Sequence, residues 1–268
     1  MSRRDEKRIH AKNRTGGIII FVVITIVICS CAFFFYLDSK SVEYDKTTLC
    51  PVNGPSAYTA ILLDRTDSIS PIQSIFIRKY INKYKENLKI TEKLSIFSIN
   101  NADKDIYPLL SICNPDDGSK SNQFYENPKK LKKKWEEKFS DKVDKVLTDA
   151  ISPGKKEHSP IMEMIQAVLV SAYPLSSKKQ PKKLLVISDM LHHTKEYSHY
   201  TDSMDYSNFE SSPYYKRVLT NLQDVEVTIL YVGRSNVSEI QDNRHIDFWI
   251  QYITKMGGTV AQIERVPG

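Results

Sequence analysis

Glycine, cysteine and net charge are all in short supply in this chain. Nine glycines in 268 residues, with twelve prolines and no internal repeat, exclude a repeat array and a disordered low-complexity polymer. The 41% of hydrophobic residues are enough for one ordinary domain with something added to it. Charge is scarce in a more telling way: 38 Lys and Arg against 32 Asp and Glu leave only +6. Of that, +4 sits in residues 1–15, where Arg3, Arg4, Lys7, Arg8, Lys12 and Arg14 oppose Asp5 and Glu6. Residues 16–37 carry no charge, and residues 38–268 are nearly neutral at +2. A bulk-charge argument for nucleic-acid binding therefore loses its force. Lys129, Lys130, Lys132, Lys133 and Lys134 resemble a basic patch, but Glu136, Glu137, Asp141 and Asp144 follow and balance it, as on a solvated helix face.

What the chain does have is one long apolar run. Ile18 to Leu37 are twenty residues without charge or proline. As a helix they would extend roughly 30 Å, the thickness of a hydrocarbon core. The expectation is a transmembrane signal anchor over residues 16–37. The basic flank then predicts a cytoplasmic tail over residues 1–15 and an exported C-terminal part, a single-pass inner-membrane protein facing the periplasm. A cleaved signal peptide has a shorter apolar core and a small-residue cleavage site, whereas this run continues through Phe33, Phe34, Phe35 and Tyr36. Cys29 and Cys31 lie inside the run; Cys50 and Cys113 lie beyond it, where an oxidising compartment permits a disulfide.

Residues 38–54 read as a short stalk, and residues 55–268 alternate strand and helix patterns. Ala57 to Asp64 is a buried-strand signature, and Pro71 opens a helix with Ile72, Ile75, Phe76 and Tyr80 on one face. Lys93 to Asn100 and Ile106 to Cys113 are two strands whose connection is too short for a helical crossover, so they form an antiparallel hairpin. Pro128 to Ile151 is helical, and Pro160 opens a helix burying Ile161, Ile165, Val168, Leu169 and Ala172. Leu184 to Met190, Val225 to Val232 and Thr259 to Ile263 are strands. Tyr214 to Leu222 is a helix, and another runs from His245 to Met256 with Ile246, Trp249, Ile250 and Ile253 inward. The fold class is α/β: a Rossmann-like doubly wound sheet of six strands, mostly parallel, with one antiparallel edge strand.

In such sheets ligands bind beyond the carboxyl ends of the strands, which directs attention to three loops. They carry Asp64-Arg65-Thr66-Asp67-Ser68, His158-Ser159-Pro160 and Ser188-Asp189. Oxygen-only side chains at one edge suit a hard cation such as Mg²⁺ or Mn²⁺. Elsewhere, Gly257-Gly258 is a helix stop rather than a phosphate cradle. His192, His193 and His199 lack the spacing of a zinc site and read as a solvated or partner-contacting loop. The segment 191–212, rich in Tyr, Ser and Asp, suits a recognition surface.

The order Asp-x-Thr-x-Ser after the first strand, a mid-chain hydroxyl, and Ser-Asp after the fourth strand resembles the metal-ion-dependent adhesion site of von Willebrand factor type A domains. The resemblance covers roughly residues 55–266, and the chain as a whole looks like membrane-anchored bacterial members. It implies metal ligands at Asp64, Thr66, Ser68, Ser159 and Asp189, with an acidic side chain of a protein partner completing the shell. Thr66 and Ser159 depart from the family's usual serine and threonine. On that topology Cys50 and Cys113 both fall at the end of the sheet away from the metal loops, so a Cys50–Cys113 bridge is geometrically sensible.

The function expected from these readings is a non-enzymatic, membrane-tethered protein-binding module with a divalent-cation site, without nucleic acid or small-molecule substrate. The alternatives are a structural subunit of a membrane complex with a degenerate metal site, and a phosphohydrolase of the haloacid dehalogenase type. The latter needs a general acid two residues after its nucleophilic aspartate, where this chain has Thr66.

Overall fold

The computed structural model describes residues 20–33, 42–99, 107–119, 127–150, 158–177 and 179–268. Two units result, Met1–Glu43 and Tyr44–Gly268. The first contains helix α1, residues 20–33, whose apolar side chains are exposed.

The expectation of a single-pass membrane protein is corrected here. Among the described residues no helix is long and apolar enough to cross a membrane. The described helical residues, 20–33, account for about 21 Å at 1.5 Å per residue, against about 30 Å for a hydrocarbon core. The rest of the apolar run, 18–19 and 34–37, and the basic tail over 1–15 lie outside the described residues.

The second unit is built on a six-stranded sheet in the order β3-β2-β1-β4-β5-β6. The strands are β1 (Tyr58–Leu63), β2 (Lys93–Ser98), β3 (Leu110–Cys113), β4 (Lys182–Ser188), β5 (Val225–Val232) and β6 (Thr259–Val266). Every neighbour pair is parallel except β2 with β3, which is antiparallel, as the short connection requires. β1 is buried at all six positions because both of its faces are covered, which is why it reads as one apolar run rather than an alternation.

Alternate side chains feed two cores. Tyr58, Ala60 and Leu62 of β1 join Leu184 and Val186 of β4 under α5 (Ile161–Ala172) and α8 (Asn243–Lys255). Ile61, Leu63, Leu185 and Ile187 face the other way, under α2 (Pro71–Glu86) and α4 (Asp141–Ala150). Helix α3 (Pro128–Trp135) runs into α4 through a single π-helical turn, Glu136–Ser140. The short helices α6 (Tyr206–Glu210) and α7 (Pro213–Arg217) interrupt the β4–β5 crossover.

The inward faces of α5 are those the apolar spacing predicts. Two other helices depart from expectation in part, with Phe76 and Tyr80 of α2 and Ile246, Trp249 and Ile253 of α8 packing inward as expected. In α2 the buried set is Gln73, Ile77, Ile81 and Lys85, while Ile72 and Ile75 are exposed. The Ser70 capping box, with Gln73 reaching back to the cap, sets that entry angle, and Gln73 is anchored by the carbonyl of Gly233 at 2.9 Å. In α8 the buried residues are His245, Phe248, Trp249, Tyr252 and Ile253; Ile250 is on the rim. Aromatic residues and a histidine occupy this interface because the facing β4–β5 crossover brings aromatic partners of its own.

Cys50 and Cys113 form a disulfide with Cα atoms 4.9 Å apart, and the Cys113 N–H donates to the Thr48 carbonyl at 2.8 Å. The bridge thus ties the segment before β1 to the end of the antiparallel edge strand, at the edge of the sheet opposite the three loops.

Candidate functional site at the carboxyl edge of the sheet

After β1 the chain turns out to β2 and β3, and after α5 it returns on the other side of β1 to form β4. The strand order therefore reverses between β1 and β4, and the loops at their carboxyl ends face each other across the crevice where α/β sheets bind ligands. Asp64 directly follows β1, and Asp189 directly follows β4; both are buried.

Asp64 is the hub. Its Oδ1 accepts from the Thr66 backbone N–H at 2.9 Å and from the Thr66 hydroxyl at 2.6 Å, so the first loop is closed by its own aspartate. Its Oδ2 accepts from the Ser188 hydroxyl at 2.7 Å and from the Ser159 hydroxyl at 3.2 Å. Three loops distant in sequence thus converge on one carboxylate. Ser159 is held there by a two-way backbone bridge to His193, each N–H donating to the other's carbonyl at 2.9 Å.

Asp189 is held differently. Its Oδ1 accepts from the Leu191 N–H at 3.0 Å, and its Oδ2 accepts from the Arg234 Nε–H at 2.8 Å. Burial pushes the Asp189 carboxyl up to about 6, aided by the neighbouring Asp64 charge and opposed by the Arg234 guanidinium. Arg234, in the loop after β5, also donates through Nη1 to the Ser68 carbonyl.

Of the five ligands implied by resemblance, Asp64, Thr66, Ser159 and Asp189 come together and are buried. Ser68 does not join them with its side chain, which is exposed; only its carbonyl takes part. The sequence reading placed Ser188 in the third loop without giving it a role, and it missed Arg234. Each had a legible signal. Ser188 adjoins Asp189, and Gly233-Arg234 directly follows β5, so its loop must open onto the same edge as those of β1 and β4.

A divalent cation implied by the resemblance can be tested against these contacts. The donors are oxygens, as a hard cation requires. Yet no oxygen of Asp64, Thr66, Ser159, Ser188 or Asp189 is among the buried polar atoms lacking a partner. Both oxygens of each carboxylate already accept hydrogen bonds, and one oxygen of Asp189 is committed to a guanidinium. Among the described residues no group of three or more His, Cys, Asp or Glu could hold a metal ion. With the Arg234 guanidinium on Asp189, the residues in this arrangement do not fit a bound divalent cation.

No protein-family model matches the chain, and no curated protein matches it. Solved structures similar to it include a conserved hypothetical protein, BatB, from Bacteroides thetaiotaomicron, at 16% identity over 79% of this chain and 91% of that one, with a TM-score of 0.41. Another is an aerotolerance-related membrane protein from Bacteroides fragilis carrying multiple mutations to serine, at 14% identity over 79% and 92%, with a TM-score of 0.38. At this distance the functional reading rests on the chain's own residues.

Behind Asp189 lies a buried histidine cluster. Met190 adopts a left-handed backbone, φ 61°, and its carbonyl accepts from Trp249 Nε1–H at 2.9 Å and lies 3.0 Å from His245 Nε2. His245 Nδ1 lies 2.6 Å from the Tyr231 hydroxyl. His199 Nδ1 lies 3.0 Å from His245 Nε2, and His192 Nε2 lies 2.9 Å from the Tyr214 hydroxyl. The expectation of solvated histidines is corrected for His192 and His199, which are buried among Tyr197, Phe209 and Phe248. Their loop was long and polar in sequence, but it folds inward as a lid over α8. Burial pushes His192 down to about 3 and His245 to about 4, and it lowers His199 well below the usual imidazole range.

From that anchored base the loop sends Tyr200 out beside the site. Tyr200 is 42% exposed, its ring packs edge-on against His193 at 5.4 Å, and it is held above the ordinary phenol range at about 12 by partial burial and by Asp189 and Asp67.

Proposed function

We propose that this is a non-enzymatic protein-binding module of the von Willebrand factor A type, which meets its partner at the carboxyl edge of the sheet. The observation that carries the reading is the segment Leu191 to Ser212. It is pinned from below by His192, His199 and Tyr197, bridged to the Ser159 loop by His193, and it presents half-exposed Tyr200 beside Asp64 and Asp189. A rigid scaffold carrying an amphipathic aromatic at a loop tip is a common way to build a recognition surface.

Two features favour binding over catalysis. A phosphohydrolase aspartate must be free to attack, whereas four donors occupy Asp64. The Thr66 hydroxyl donates to that same aspartate and offers no general acid. The partner's contact is best sought at Tyr200 and its loop, because the charge of Arg234 is already committed to Asp189. A photo-crosslinking residue placed at Tyr200 of the full chain, compared with one at exposed Lys138 on the opposite face, tests this in cells. A discrete adduct from position 200 alone is expected; equal or absent adducts at the two positions would sink the proposal.

A further inference from the structure

We propose that Arg234 is a tethered cation that does the work a divalent ion would do at this edge, tying the β1, β4 and β5 loops together so that the site assembles without metal. The guanidinium spans two loops, donating to Asp189 Oδ2 at 2.8 Å and to the Ser68 carbonyl. This is no ordinary surface pair, because the Arg234 side chain is 14% exposed and the Asp189 side chain 2%.

The guanidinium is also aimed by its backbone. The Arg234 N–H donates to Gln241 Oε1 at 2.6 Å, and Gln241 Nε2 donates to the carbonyls of Asp189 and Val232 at 2.9 and 3.0 Å. The preceding Gly233 carbonyl takes Gln73 Nε2 at 2.9 Å. Two buried glutamines therefore fix residues 233 and 234 from both sides, and the rigid fork of the arginine is pre-organised on Asp189. A flexible surface arginine would have no such framing.

Charge arithmetic makes the idea testable. Asp64 and Asp189 bring two negative charges, and Arg234 returns one. Mg²⁺ bonds its oxygens at roughly 2.0–2.1 Å in near-octahedral geometry, so an ion bound directly through Asp189 Oδ2 would displace the guanidinium from that oxygen. The metal and Arg234 are alternatives. Removing the guanidinium leaves two buried carboxylates beside the hydroxyls of Thr66, Ser159 and Ser188, an oxygen set that a dication can neutralise.

The test is thermal unfolding of the full chain and of Arg234→Ala, in EDTA and in millimolar MnCl₂, with Mn²⁺ binding followed by electron paramagnetic resonance. The wild-type melting temperature is expected to be the same in both buffers, with no tightly bound Mn²⁺. Arg234→Ala is expected to melt lower in EDTA, by on the order of 10 °C, because Asp189 loses its partner in a buried site. MnCl₂ is expected to restore much of that loss, with Mn²⁺ bound. Adding Asp189→Asn to Arg234→Ala is expected to abolish the response. If Arg234→Ala does not fold in EDTA, its refolding yield in MnCl₂ against EDTA is the same measurement. A wild-type protein that binds Mn²⁺ tightly and gains stability from it overturns the proposal, as does an Arg234→Ala protein indifferent to the ion. Neither outcome depends on a protein partner, so this inference and the binding reading fail separately.

Discussion

Lowering the pH from 6.5 to 5 destabilises this domain through its buried histidines, by an amount that can be worked from the structure. His192, His199 and His245 are 0%, 3% and 0% exposed and stay neutral in the fold, with His192 at about 3, His245 at about 4 and His199 also strongly lowered. Glu163 does not rescue His192: its Oε2 is 4.0 Å away, and the Tyr214 hydroxyl stands between them, donating to Glu163. Unfolded imidazoles titrate near 6.5. Depressed folded values mean that the stability is present above about 6.5 and is lost as pH falls toward the folded values. Each histidine then costs on the order of 1 to 2 kcal/mol between pH 6.5 and 5.

Asp189 acts in the opposite sense. Its folded value is raised to about 6, so its contribution is fully present below the ordinary carboxylate value and lost as pH rises through 6. It returns about 1 kcal/mol over the same window. The net loss is about 3 to 4 kcal/mol, a large share of the roughly 5–15 kcal/mol that holds a domain folded. Urea unfolding at pH 6.5 and pH 5, monitored by tryptophan fluorescence, reads this as a drop in midpoint at constant slope. His192→Gln removes one of the three contributions and reduces the pH-dependent loss by on the order of 1 to 2 kcal/mol. A midpoint that holds steady or rises between pH 6.5 and 5, or a variant with the wild-type pH dependence, would refute the reasoning.

Other expectations follow from the same contacts. Replacing Cys50 and Cys113 by serine opens a crosslink between residues 63 apart in sequence and lowers stability by about 4 kcal/mol on a chain-entropy basis, read as a urea-midpoint shift that reducing agent reproduces in the wild type. Asp64→Ala leaves four buried donors without their acceptor, and a loss of about 3 kcal/mol or more is expected by calorimetry; a loss under 1 kcal/mol would show that Asp64 is not the hub. Ile77→Asp unfolds the domain, whereas Ile75→Asp one half-turn away changes stability by less than about 0.5 kcal/mol, which circular dichroism melts distinguish. Phe248→Ala, at the centre of the aromatic packing over the histidines, costs about 3–5 kcal/mol.

Much of this architecture is legible from one chain. The strands β1 and β4 announce themselves because central parallel strands are apolar on both faces, and the tight β2–β3 connection leaves only an antiparallel hairpin. From that order the edge where Asp64 and Asp189 meet follows, and so does the Cys50–Cys113 pairing. Helix faces were less secure. In α2 the apolar spacing points to Ile72, Ile75, Phe76 and Tyr80, whereas the capping box with the Gln73 anchor on Gly233 turns Ile77 and Ile81 into the core. The long apolar run is as plain in sequence as any strand, yet its described helix covers residues 20–33 alone.

Local sequence therefore determined the element order, the sheet's point of reversal and the loops that gather there, because hydrophobic period and connection length act over a few residues. Tertiary structure alone decided what those loops do with their charges. Whether a buried carboxylate waits for a metal or already holds a cation depends on which side chain crosses the sheet to reach it. Arg234 stands 45 residues from Asp189 and 166 from Ser68, a pairing that no local pattern encodes. The histidines show the same division: a polar loop in sequence became a buried lid because α8 offered it Phe248, Trp249 and His245 to pack against.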